Sequence, residues 1–182
     1  LPEEAAREAV RLARRLALPL EGYTADGGFF VEGDSPLLEA HQRLLGVEAE
    51  GADLLRLSSP LVRLQVLAEG EAPVERLLEA LPRGLQAHVA ESPKMPGVRF
   101  VSLTKEGVSK LSAARLVAEA YGLPLSECAM VGDGENDLEL LRAVGVGIAM
   151  GNAPPSVKRA AQRVVAPVEA CGLAEALRLL RG

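Results

Sequence analysis

The sequence predicts an α/β fold, and two observations carry the prediction. From residue 109 onward, short apolar runs at 128–132 and 146–150 do not alternate and are separated by amphipathic segments. That is the pattern of parallel strands covered on both faces by helices. Between about 34 and 102, alternating apolar and polar stretches flank one short helical pattern, with tight turns between them. That region reads as a small α+β unit with an antiparallel sheet.

Taken in order, residues 2–17 predict a helix. Pro2 suits a first helical position, Glu3 and Glu4 complement the positive helix end, and Ala6, Ala9, Val10, Ala13 and Leu16 share a face. Pro19 and Gly22 close it, and apolar pieces then flank Asp26-Gly27-Gly28, a hairpin-type turn. Leu64 and Val66 alternate with Arg63 and Gln65 as a half-buried strand. Val74, Leu77, Leu78 and Leu81 fit a short helix, and strands are expected at 85–89 and 98–100. Residues 46–60 carry no readable period. A helix is expected at 110–121, stopped by Gly122 and Pro124. Strands at 128–132, 146–150 and 163–165 then alternate with helices at 136–144, 154–161 and from Gly172.

The chain has 182 residues, enough for one medium domain or two small ones. A hydrophobic content of 48% with 25% charged residues suits a soluble globular protein, and no apolar run approaches the ~20 residues of a membrane span. The net charge of −5 and the lack of a basic cluster argue against nucleic acid and anionic membrane as partners. No secretory leader is evident, and a cytoplasmic location is expected. The two cysteines, Cys128 and Cys171, have no metal-ligand spacing, and Cys128 reads as a buried thiol. His41 and His88 are isolated, and Ser58-Ser59 has no His/Asp set to support a nucleophile.

The chemistry concentrates at Gly132-Asp133-Gly134-Glu135-Asn136-Asp137. In a parallel sheet the ligand sits beyond the carboxyl ends of the strands, which is where Asp133 falls. Asp133 and Asp137 bracket the turn from strand to helix, an arrangement that can hold a hard cation together with phosphate oxygens and water. Helix capping accounts equally well for either residue alone. Glu135 reads as a solvated first-turn acid. Lys110 follows Ser109, a helix cap, so its charge opposes the helix dipole by about 0.3–1 kcal/mol. An anion held jointly by this Lys and the helix start would offset that cost. Asn152 follows the second strand, and it either caps the next helix or touches the site, capping being the favoured reading.

Gly107-Val108-Ser109-Lys110, the Gly132–Asp137 run, and Gly147-Ile148-Ala149-Met150-Gly151-Asn152-Ala153 with Val157-Lys158 resemble the C-terminal half of the haloacid dehalogenase-like (HAD) superfamily. The similarity is strongest to its Cof-type branch of sugar-phosphate and phosphoglycolate phosphatases. It covers about residues 105–180 closely and extends loosely to 1–33, where Asp26-Gly27-Gly28 stands at the family's Asn-Gly position. The resemblance implies a Rossmann-like core from residues 1–33 and 103–182, with 34–102 as an inserted α+β cap that selects substrate. It also implies Mg²⁺-dependent hydrolysis of a small phosphorylated metabolite through an aspartyl-phosphate. By position, Lys110 would hold the phosphoryl group and Asp133 would ligate Mg²⁺. Asp137 would bind Mg²⁺ directly or through water, and Asn136 would support the site by hydrogen bonds. Catalytic weight falls on Lys110 and Asp133.

One departure is plain: the family's nucleophile lies in an Asp-x-Asp-Gly-Thr motif on its first strand, and no Asp-x-Asp occurs in this sequence. The expectation is that an N-terminal strand-helix-strand segment belongs upstream of the chain. Residues 1–182 by themselves would then bind Mg²⁺ and phosphate poorly and would not turn over. Two other readings fit the residues. One is a non-catalytic binding or regulatory relative; the other is a phosphorylation-domain fragment of a cation-pumping (P-type) ATPase, which shares a Gly-Asp-Gly-x-Asn-Asp hinge. Neither the individual substrate nor an oligomeric state can be read from the residues.

Overall fold

In a computed structural model describing residues 1–181, the chain forms two compact units, Leu1–Gly107 and Val108–Gly182. Gly182, which ends the expected core range, lies outside the described residues.

The first unit begins with α1 (Glu3–Arg15), followed by the hairpin β1 (Leu20–Thr24) and β2 (Phe29–Glu32). Helix α2 (Pro36–Leu45), short strand β3 (Glu50–Gly51) and long strand β4 (Leu61–Glu69) come next. Helix α3 (Ala72–Glu79) and the hairpin β5 (Leu85–Ser92) and β6 (Met95–Lys105) complete it. The strands form one sheet in the order β3-β2-β1-β4-β6-β5, antiparallel throughout except for the β2–β3 pair.

Side-chain alternation gives this sheet two different faces. Leu20, Leu64, Val66, Val101 and Leu103 point to one side and pack on Ala9, Val10 and Ala13 of α1 and on Val74 and Leu77 of α3. Leu67, Val98 and Phe100 point to the other and pack on Leu38 of α2. Beside this second core lies Glu21, which is 0% exposed. It accepts hydrogen bonds from Tyr23 Oη (2.8 Å) and Gln65 Nε2 (2.7 Å), and His41 Nδ1 lies 2.6 Å from its other oxygen. Burial and the Glu21 charge push the Tyr23 phenol well above its ordinary pKa, so it stays a donor. His41, given no role from sequence, is therefore a buried partner of Glu21.

Two features differ from expectation. Residues 1–33, assigned to the core with 103–182, are placed in the six-stranded sheet. β1 hydrogen-bonds β2 on one edge and β4 on the other, so the Asp26-Gly27-Gly28 hairpin belongs with the middle strands. α2 has no counterpart in the sequence reading, although its ends carry strong signals. Ser35 accepts a bond from the Leu37 amide, Pro36 opens the helix, and Gly46 at φ +68° closes it. Residues 46–60 remain mostly irregular, with β3 and one turn of 3₁₀ helix at Leu54–Arg56.

The second unit starts with α4 (Lys110–Ala120) and continues through β7 (Ala129–Gly132), α5 (Leu138–Ala143) and β8 (Val146–Ala149). It ends with α6 (Pro155–Ala160), β9 (Arg163–Val164) and α7 (Gly172–Arg181). The strands are parallel in the order β7-β8-β9, as the apolar runs predicted. Ala149 packs with Leu141 and Val157, while its neighbour Ile148 packs with Val165 and Ala176. Helices therefore cover both faces, so the run shows no polar alternation. Cys128 is half-buried rather than buried, because it stands just ahead of β7, and Cys171 is exposed. No described helix is long and apolar enough to cross a membrane.

Candidate functional site

The site lies within the second unit, at the exits of β7 and β8. At the end of β7 the chain turns through Asp133 and Gly134 into one turn of 3₁₀ helix (Glu135–Asp137) and then α5. Asp137 folds back over this turn. Its Oδ2 accepts from the amides of Asp133 and Gly134, both at 3.0 Å, and only 2% of the residue is exposed. Gly132 makes room for it: a Cβ there would stand 2.7 Å from Asp137 Oδ2. The glycine thus serves a side chain that the turn itself brings back.

Lys110 opens α4 behind Ser109, whose hydroxyl accepts from the Ser112 amide in a capping box. Lys110 Nζ donates to Asp137 Oδ1 at 2.5 Å. The pair joins the two motifs that sequence could only list separately. Burial pushes the Asp137 carboxyl up, but Lys110 and the amides of Gly134 and Asp133 outweigh it and hold the group below its usual range. Asp137 therefore stays ionised, while the Lys110 side chain remains 49% exposed and accessible to a second anion.

Asp133 itself is exposed at the strand exit. Asn152, in the loop after β8, donates from Nδ2 to Asp133 Oδ2 at 3.3 Å and accepts the Val168 amide at 3.1 Å. Asn152 therefore touches the site. It does not cap α6, whose cap is Pro154 without a side-chain bond. Nothing in local sequence distinguished the two roles, because the Val168 amide that orients Asn152 arrives from a later loop. Asn136 is exposed on the same turn, with Oδ1 2.6 Å from where a Cβ on Gly134 would stand. Glu135 accepts from Ser156 Oγ at 3.1 Å and is exposed.

Lys110, Asp133, Asn136 and Asp137 are thus brought to one edge of one sheet. The edge offers a half-exposed ammonium, an exposed carboxylate and a turn stiffened by a buried carboxylate. No group of three or more His, Cys, Asp or Glu able to hold a metal occurs among the described residues. Asp133 is the more exposed carboxylate of the two, while Asp137 Oδ2 is held by two amides and Oδ1 by Lys110.

Residues 3–177 match the family described as haloacid dehalogenase-like hydrolase. The chain is 31% identical over 137 residues to an HMP-PP phosphatase of Cronobacter sakazakii, covering 72% of this chain and 48% of that protein. It is 34% identical over 82 residues to a phosphoglycolate phosphatase of Methanothermobacter thermautotrophicus, covering 45% and 37%. A haloacid dehalogenase-like hydrolase from Bacteroides thetaiotaomicron has a similar fold, with TM-score 0.80 and 23% identity over 99% of this chain and 67% of the other. The chain spans less than half the length of these two curated relatives.

Proposed function

The chain belongs to the haloacid dehalogenase-like hydrolase family, and on that premise we propose that it carries the charge-neutralising part of a Mg²⁺-dependent phosphatase acting on phosphate monoesters of small metabolites. The observation that carries this reading is the junction of Lys110 with Asp137 beside the exposed Asp133. The names of the relatives support phosphatase chemistry, and phosphoglycolate is a phosphate monoester. A cytoplasmic setting, where phosphorylated metabolites occur, belongs to the same proposal.

The residues fit a Mg²⁺ ion in one respect. Mg²⁺ is commonly held by one or two carboxylates, with phosphate oxygens and water completing its shell. Asp133 supplies one such carboxylate, turned by Asn152. Asp137 Oδ1 has Lys110 as its hydrogen-bond donor and keeps a second lone pair, so Asp137 can ligate the ion directly or through water while it fixes the turn and the ammonium. When bound, the cation supplies charge neutralisation at the phosphate.

Lys110 does the rest of the electrostatic work. Its ammonium is held at a helix start whose own amides favour an anion. The Asp137 hydrogen bond holds Nζ at the turn after β7. Asn136 adds a hydrogen-bonding amide at the turn. The sequence has no Asp-x-Asp pair. We therefore expect binding without turnover from residues 1–182 alone, the aspartyl-phosphate chemistry requiring carboxylates from outside this set.

Calorimetric titration of the chain with inorganic phosphate tests the reading. Affinity should rise when Mg²⁺ is present. Asp133→Ala should remove that rise, and Lys110→Met should weaken binding by about tenfold, the scale of one charge-assisted contact. Phosphate affinity indifferent to both substitutions would refute it.

A further inference from the structure

The six-stranded sheet ends in two unlike edges. At one end β3 is only two residues long. At the other, β5 runs for eight residues and has no strand on its outer side among the described residues. An open edge of that length is a template for another strand, and folded proteins usually blunt it with Lys, Pro or a very short run. Residues 85–92 contain neither Lys nor Pro. Their acidic residue, Glu91, is ion-paired with Arg99 of β6, so its charge is compensated.

Register fixes which groups this edge presents. Opposed residues of an antiparallel pair alternate between hydrogen-bonded and non-hydrogen-bonded. The Glu106 amide donates to the Gly84 carbonyl at 2.9 Å, one step beyond the pair of Leu85 with Lys105. Gln86, His88 and Ala90 therefore turn their backbone groups toward β6. Ala87, Val89 and Glu91 turn theirs outward. The Val89 side chain lies opposite Val101, on the side that α1 and α3 cover, yet it is 46% exposed because it stands at the rim.

We propose that β5 pairs antiparallel with β5 of a second copy of the chain, about a two-fold axis at Val89. In this register Val89 faces the partner's Val89 as a hydrogen-bonded pair, and Ala87 faces the partner's Glu91. The outward backbone groups of Ala87, Val89 and Glu91 are all used, and the two exposed valines meet. Glu91 of one copy does not oppose the partner's Glu91, so no like charges face each other. Neighbouring registers are poorer. An axis at His88 sets Glu91 against Leu85, whose amide already donates to the Pro82 carbonyl at 3.3 Å. An axis at Ala90 sets Ala87 against Pro93, which has no amide hydrogen. The edge is thus complementary to itself, which favours a second copy over an unrelated peptide. The contact is isologous and closes, because the joined sheet ends in the short β3 on both sides. It uses residues of the first unit alone and does not depend on the phosphatase reading.

The test is sedimentation velocity on the full chain from micromolar to millimolar concentration. A reversible equilibrium between one chain and two is expected, and amide exchange at Ala87, Val89 and Glu91 should slow as the dimer forms. Val89→Pro should keep the fold, since the amide it deletes points outward, and should give a monomer. Val89→Lys sets two ammonium groups against each other at the axis and should raise the dimer dissociation constant about tenfold or more. A chain that stays monomeric at millimolar concentration overturns the proposal, as does a dimer in which those three amides exchange freely. So does a dimer that persists undiminished in a folded Val89→Pro, or in Val89→Lys if Val89→Pro does not fold.

Discussion

The two units handle buried charge in opposite ways. In the antiparallel unit, Glu21 sits inside the fold, and its partners come from three separate elements, Tyr23 on β1, His41 on α2 and Gln65 on β4. In the parallel unit, Asp137 is equally buried, but it takes two of its partners from amides in its own turn. Only Lys110 reaches it from a distance. The first arrangement ties a sheet to a helix. The second stiffens a strand exit and leaves Asp133 and half of Lys110 facing outward, which is what a ligand needs.

The largest effect should come from breaking the distributed network. Glu21→Ala leaves Tyr23, Gln65 and His41 facing a gap, and removing one member of a buried pair costs about 3–5 kcal/mol. Denaturant unfolding should show this loss in the transition of the first unit. Asp137→Ala should cost somewhat less, about 2–3 kcal/mol, because its amides lie near solvent and Lys110 can turn outward. It should also weaken phosphate binding, by no more than the tenfold expected of Lys110→Met, an effect that Glu21→Ala should not have. Equal effects of the two substitutions on phosphate binding would erase the contrast between the units.

Gly132→Ala sharpens the comparison further. The added Cβ would meet the Asp137 carboxylate, and overpacking of this kind costs about 1–3 kcal/mol. Thermal unfolding should show that loss, and Asp137→Ala should relieve it in the double variant.

This difference in wiring also explains what could be read from sequence. Gly132, Asp133 and Asp137 lie in one short run, so the strand, the turn and its acids were legible together. Lys110 was legible because its charge contradicts its helix position. The polar network of the first unit was not, since Glu21 meets Gln65 only through the pairing of β1 with β4. The same pairing moved residues 1–33 into the six-stranded sheet. A hairpin signal such as Asp26-Gly27-Gly28 reads identically whichever sheet it joins. Asn152 was misjudged because its orienting partner, the Val168 amide, comes from a later loop.

The pH dependence should be smaller and have a defined sign. The Asp137 carboxyl titrates below its ordinary value in the folded chain. Its stabilisation is therefore complete above the unfolded value of about 3.9 and is lost as pH falls through the folded value. Asp137→Asn should flatten that acid limb in unfolding curves for the second unit. In the first unit, hydrogen bonds from Ser59 and Thr24 likewise lower the Asp26 carboxyl. That group is solvent-exposed, so Ser59→Ala should change the acid limb least of all.

The central claim is that the exit of β7 is where a divalent cation and phosphate meet. The most direct measurement is paramagnetic broadening of backbone amide signals by Mn²⁺ in the presence of inorganic phosphate. The account expects broadening centred on residues 132–137 and on Asn152, abolished by Asp133→Ala. Broadening centred on the six-stranded sheet, or unchanged by Asp133→Ala, would contradict it.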